Sequence, residues 1–179
     1  VDLGAYELCD ESLSPKILSL ASAGSAGCGL AHVFVHLTSD EPVQTFSLGV
    51  AHDPGFAGLI AMDFTGCPVI EALNGGQGPD YFGADLAPGT SNCLPTIAAG
   101  GTVCCIASQT QPSTATIPAG LNQPIVHLTY EEVPGDASGT QSPITIVDCL
   151  GGDVPRDVVV TVEGFSLEPN LVGGMLAFD

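Results

Sequence analysis

The chain has 179 residues, enough for one domain that buries roughly 70% of its unfolded surface without staples. Twenty acidic residues against two basic ones, Lys16 and Arg156, give a net charge of −18, which repels phosphate backbones and anionic lipid and argues against nucleic acid as a partner. Charged residues are only 12% while Gly (23) and Pro (14) abound, so short strands and turns are expected rather than a helical bundle. No apolar run reaches the ~20 residues of a membrane span, and no membrane insertion is expected.

Residues 1–29 read as an N-terminal extension or first strand, and 30–179 as the main domain. Helix is expected at most as a turn over 14–20. "AHVFVHL" (31–37) is a strand with Ala31, Val33, Val35 and Leu37 on one face. "TSDEP" turns the chain into "VQTFSLGVAH" (43–52), and the two strands read as a hairpin. "GLIAMDF" (58–64), "PVIEAL" (68–73) and "YFGADL" (81–86) are shorter strand candidates, and 87–101 is irregular. "TVCCIAS" (102–108) is a strong strand, followed by a long connection through 124. "IVHLTYEEV" (125–133) alternates, with Val126, Leu128 and Tyr130 facing one way and His127, Thr129 and Glu131 the other. "ITIVDCL" (144–150), "DVVVTVEG" (157–164) and "LVGGMLAF" (171–178) complete the set. About nine or ten short strands with frequent turns predict an all-β, single-domain antiparallel sandwich.

The ordered phrases "EPVQTFSLGVAHDP" (41–54), "IPAGLNQPIVHLTYE" (117–131) and "ITIVDCLGG" (144–152), then a Val-rich strand, resemble bacterial cohesin-like modules over residues 30–178. The resemblance implies a jelly-roll-like β-sandwich without a catalytic site, and a dockerin module as partner. Seven cysteines and the stretch "VDLGAYELCDESLSPK" depart from that family's pattern, and no binding residue carries over.

Candidate chemistry is sparse, and no catalytic or cofactor-binding residue is assigned. His52 and Asp53 stand where a strand enters a turn, and Asp-Pro-Gly is turn chemistry. No G-x-S-x-G elbow supplies a nucleophile. His32 and His36 share a strand face but lie roughly 13 Å apart, too far for one metal. Asp148, Asp153 and Asp157 form the single candidate calcium cluster, on a Gly-rich turn. Lys16, the only lysine, is a candidate for an amide cross-link to Asn170. Cys9, Cys28, Cys67, Cys93, Cys104, Cys105 and Cys149 lack any CxxC spacing and read as disulfides of an oxidising compartment. Cys9–Cys28 and Cys67–Cys93 are expected to close local loops, with Cys149 joined to Cys104 or Cys105. Cys104 and Cys105 should point to opposite sheet faces.

These features predict a non-enzymatic extracellular or cell-surface structural or adhesion module. It would self-associate into a fibre or surface layer by strand addition from residues 1–12 or another edge contact. A dockerin-binding module is the first alternative. A carbohydrate-binding module, whose aromatic platform must come from Tyr6, Tyr81 and Tyr130, is the next.

Overall fold

The computed structural model describes residues 15–27, 29–86, 99–109, 115–134, 140–150 and 156–178, with the side chains of 25–27 excepted. Twelve strands run in order: Ile17–Gly27 (β1), Leu30–Ser39 (β2), Thr45–Ala51 (β3), Ala57–Asp63 (β4), Tyr81–Asp85 (β5), Gly100–Ile106 (β6), Gly120–Glu132 (β7), Gln141–Val147 (β8), Val159–Val162 (β9), Phe165–Leu167 (β10), Asn170–Val172 (β11) and Gly174–Ala177 (β12). Two helical turns, Pro68–Glu71 (α1) and Leu73–Gly76 (α2), lie between β4 and β5. The first sheet has the order β11-β1-β2-β7-β4. The second has β10-β9-β3-β6-β5, with β8 also pairing β3 and carrying β12. Every pairing is antiparallel except β1 with β11. The expected all-β sandwich is what forms.

The core follows from period-two burial. Ala31, Val33, Val35 and Leu37 of β2 and Val126, Leu128 and Tyr130 of β7 meet Phe46, Leu48 and Val50 of β3, all at most 1% exposed. Each such apolar side chain contributes about 1.5–3 kcal/mol by leaving water. β7 bends where His36 pairs with Pro124 and Val35 with Val126. The extra residue, Ile125, turns inward beside Val126, and Pro124, which has no N–H to give, sits at the irregularity.

Three expectations need correction. β2 and β3 form no hairpin: β2 pairs β1 and β7, while β3 pairs β6, β8 and β9 in the other sheet. The polar segment between them is a crossing. Lys16, 3% exposed, bonds the Asp40 and Glu41 carboxylates through its amine, and Ser39 Oγ donates to the Glu41 carbonyl at 2.6 Å. Residues 68–73 are helical rather than extended. Pro68 pre-sets the first turn, Glu71 accepts from the Gly66 N–H at 2.8 Å, and Ile70 and Leu73 enter the core three residues apart. Asn74 (φ 51) and Gly75 (φ 72) then stop the helix in left-handed conformations. Residues 171–178 are two strands, because β11 joins the first sheet and β12 the second. With β1 and the three-residue β10, that split makes twelve strands among the described residues instead of nine or ten.

Candidate functional site: the open face of the second sheet

Outward positions of the second sheet line up across three strands. Ser47 pairs with Cys104 and Cys104 with Gly83; Thr45 pairs with Ile106 and Ile106 with Tyr81. β9 adds Val159 opposite Ser47 and Thr161 opposite Thr45. Thr45 Oγ1 donates to Thr161 Oγ1 at 2.8 Å, and Ser47 Oγ donates to the Asp157 carbonyl at 2.5 Å. The hydroxyls are thus spent within the protein. Tyr81 is 42% exposed and reaches forward along β5, so that a β-carbon on Gly83 would strike its hydroxyl. The patch carries no charge among these residues; Asp85, paired with Thr102, lies at its end. Beyond it, Leu150 folds over the outward side of β3 and β6 and is 1% exposed. Side chains at Gly49 or Gly100 would meet Leu150 at 2.8 Å, so both glycines are needed for that closure.

The loop that closes this end is the expected calcium turn. Asp148 Oδ1 accepts the Val158 N–H at 2.6 Å, and Asp157 contributes its carbonyl to Ser47. Asp153 lies outside the described residues. Among the described residues no group of three or more His, Cys, Asp or Glu converges on one point.

The cysteines do not pair as expected. Cys67, Cys104 and Cys105 carry free thiols, which rules out Cys67–Cys93 and any bond from Cys149 to Cys104 or Cys105. Cys149 is disulfide-bonded. Cys9, Cys28 and Cys93 lie outside the described residues, and with them the Cys9–Cys28 pairing. Cys104 is half-buried on the outer face and Cys105 fully buried, the opposite orientations that alternation requires. Burial pushes the Cys105 thiol up to about 12, with the neighbouring Cys104 adding to it. Cys67 is likewise raised to about 12 by burial, then by the charges of Glu71 and Asp63.

Lys16 forms no amide with Asn170, whose backbone N–H only donates to the Lys16 carbonyl at 2.7 Å. Burial draws the ammonium's pKa down, but the bonds and charges of Asp40 and Glu41 outweigh it and hold the amine protonated, the wrong state for a nucleophile. Asp53 is turn chemistry: its Oδ1 accepts the Gly55 N–H at 2.8 Å and its carbonyl the Phe56 N–H at 3.1 Å. His52 meets the Tyr130 ring edge-on at 5.1 Å. Tyr130 is in the core, and Tyr6 lies outside the described residues, so the aromatic platform for a glycan is reduced to Tyr81.

The first sheet's outer face is different. β7 sets His127 opposite Phe34 of β2 and Asp63 of β4, with His32 diagonal to it. His32 Nδ1 and His127 Nε2 are 2.8 Å apart, and His127 Nδ1 is 3.2 Å from Asp63 Oδ1. Phe34 stacks on His127 at 4.8 Å. Sequence reasoning placed His127 outward but did not join it to His32, because strand register is not written in either strand alone.

No family model matches the sequence, and no curated protein matches it. The fold does match solved structures. The sixth cohesin of scaffoldin B from Acetivibrio cellulolyticus, solved in complex with a dockerin, is similar at TM-score 0.62 and 15% identity, over 93% of this chain and 100% of that one. A type I cohesin from a cohesin–dockerin complex of Clostridium thermocellum gives 0.63 and 13%, over 92% and 99%. A non-cellulosomal cohesin from the archaeon Archaeoglobus fulgidus gives 0.56 and 8%, over 93% and 92%. Identity this low speaks to fold alone, and the fold of this chain is a cohesin-like β-sandwich.

Proposed function

We propose that the chain is a non-catalytic protein-binding module that takes a dockerin-type partner on the open face of its second sheet. The observation that carries this reading is the uncharged patch of Thr45, Ser47, Tyr81, Cys104, Ile106 and Thr161 on a chain of net charge −18. The centre of a protein interface is depleted of charge, because a buried carboxylate loses its water without recompense. Docking here strips water from almost no carboxylate. The dockerin class of partner is supported by the cohesin-like fold and by two similar structures that contain one. The disulfide at Cys149 supports an extracellular or cell-surface setting.

Calorimetry against a panel of dockerin modules tests the reading. One-to-one binding is expected, with Cys104→Arg weakening it at least ~100-fold, since a charge would be buried unpaired. Thr38→Arg, on the other sheet, should leave it unchanged. Absence of binding to any dockerin, or full binding by Cys104→Arg, removes the proposal.

A second reading, self-assembly into a fibre or layer, is favoured by edge strand β11, where Leu171 is 41% and Val172 50% exposed. An apolar edge invites strand addition from another copy. Sedimentation should then show assemblies that Val172→Lys disperses; a monomer at all concentrations removes this reading.

A further inference from the structure

The outer face of the first sheet holds an imidazole pair that the protein-binding reading does not use. In the neutral His127 ring, the hydrogen bond to Asp63 through Nδ1 puts the proton on that nitrogen and the lone pair on Nε2. That lone pair faces His32 Nδ1 at 2.8 Å. Stacked rings do not approach so closely, so with centroids 4.9 Å apart and planes 29° apart the two rings meet edge to edge. Their in-plane nitrogen orbitals therefore point at one another. Phe34, stacked on His127 with planes 19° apart, holds that ring in place. Thr129 Oγ1 lies 3.5 Å from His32 Nδ1. His36 stands apart, tilted against the Phe34 ring at 6.3 Å.

We propose that His32 and His127 form a two-nitrogen chelate for a divalent late first-row transition metal of the zinc, nickel and copper class. The metal displaces the proton the two rings share and sits to one side of the line between the two nitrogens. His32 Nδ1 gives up that proton, its Nε2 takes one from water, and both neutral rings present lone pairs to the ion. His127 already has the required tautomer, set by Asp63 in the carboxylate–histidine–metal arrangement that orients ligands and raises their basicity. Zinc–nitrogen bonds of about 2.0–2.1 Å at a tetrahedral angle put the nitrogens about 3.3 Å apart, so the pair opens by about 0.5 Å. Side-chain rotation of His32 is the movement the site requires, both for that opening and to turn its lone pair onto the ion. Imidazole donors choose these metals over calcium and magnesium, which prefer oxygen. The site has two protein donors rather than three or four, so water fills the remaining positions. The net charge of −18 raises the local concentration of any cation.

The test is a zinc chloride titration of the full chain at physiological salt with magnesium in excess, which occupies the scattered carboxylates. It uses a Cys104→Ser background so that the half-buried thiol does not compete. One zinc per chain is expected, with His32→Ala and His127→Ala each weakening binding at least ~10-fold and Asp63→Asn by ~10-fold. His36→Ala should bind as the parent does. The second readout needs no substitution at the site: the nitrogen resonances of His32 Nδ1 and His127 Nε2 must move on adding zinc, and those of His36 must not. Unchanged affinity in both alanine variants, or unmoved His32 and His127 nitrogens, overturns the proposal. Where an alanine variant fails to fold, the nitrogen resonances decide.

Discussion

The two outer faces of this sandwich are built by the same alternation and hold opposite chemistry. On the first sheet, outward positions of β2, β7 and β4 gather rings and carboxylates: His32, Phe34, His36, His127, Asp63 and Glu131, with Thr129 among them. On the second, outward positions of β3, β6, β5 and β9 are mostly small and neutral. The inner faces do not differ in this way, since both are mainly aliphatic with large rings among them, Tyr130 on the first sheet and Phe46 and Phe82 on the second. A sandwich constrains the inward residues strongly and the outward ones hardly at all, so functional difference collects on the outside.

The largest expected contrast is in thiol reactivity. Cys104 is half-buried on the neutral face, whereas Cys105 and Cys67 are fully buried with pKa values near 12. A rise from 9 to about 12 lowers the thiolate fraction about 1000-fold, before access is counted. Peptide mapping after mild alkylation of native protein should find Cys104 modified and Cys67 and Cys105 spared. Equal modification of Cys104 and Cys105 would mean that the neutral face is not the open one.

Next in size is the crossing that joins the two sheets. Lys16 has a side chain 2% exposed, whereas Asp40 and Glu41 are 49% and 37% exposed. Replacing both acids, Asp40→Asn with Glu41→Gln, leaves a buried ammonium with no counter-charge and should cost about 3 kcal/mol. Lys16→Met leaves only carboxylates that water can solvate, and should cost about 1 kcal/mol. Denaturant unfolding measures both, and equal losses would show that burial does not set the asymmetry.

Acid should weaken the first sheet. Burial pulls the His36 pKa below 6.5, and it does the same at His52 against the opposing Ala57 backbone bond and Asp53 charge. Folded protein then binds these protons more weakly than unfolded chain. Their contribution is intact above about 6.5 and is lost as pH falls from there towards the lowered values. Both rings pack on the first sheet, His36 within β2 and His52 against Tyr130. Unfolding free energy should therefore fall between pH 7 and 5.5, and the slope should shrink in His52→Gln. A flat profile contradicts this.

Smallest is Tyr130→Phe. Among the described residues the Tyr130 hydroxyl is buried without a hydrogen-bond partner, and burial raises its pKa as well. Removing it should be neutral or stabilise by about 1 kcal/mol. A loss of more than that would reveal a partner for the hydroxyl.

Much of this fold was legible. Period-two runs found the core faces of β2, β3 and β7 residue by residue, because a half-buried strand must alternate. Three things were not legible, each for its own reason. The segment 39–43 has a hairpin's composition, and the Lys16 that is buried against its Asp40 and Glu41 stands 24 and 25 residues away in sequence. Residues 68–73 are apolar at a length that suits strand or helix, and Pro68 and Glu71 decide for helix. The His32–His127 contact depends on register between strands nearly a hundred residues apart. Of the candidate site, the opposed orientation of Cys104 and Cys105 was legible, whereas the closure of its end by Leu150 over Gly49 was not.

The parallel pairing of β1 with β11 has a mechanical consequence. Ile17, Leu18 and Ser19, near the start of the described chain, lie beside Asn170, Leu171 and Val172, near its end, and the strands run the same way. Tension applied through the two ends pulls these strands past one another along their length. Their backbone bonds, with Asn170 N–H to the Lys16 carbonyl at the margin, are then loaded together in shear instead of peeling one at a time. A module strung between tethers would bear load at this seam and, beyond it along the chain, at the pairing of β12 with β8.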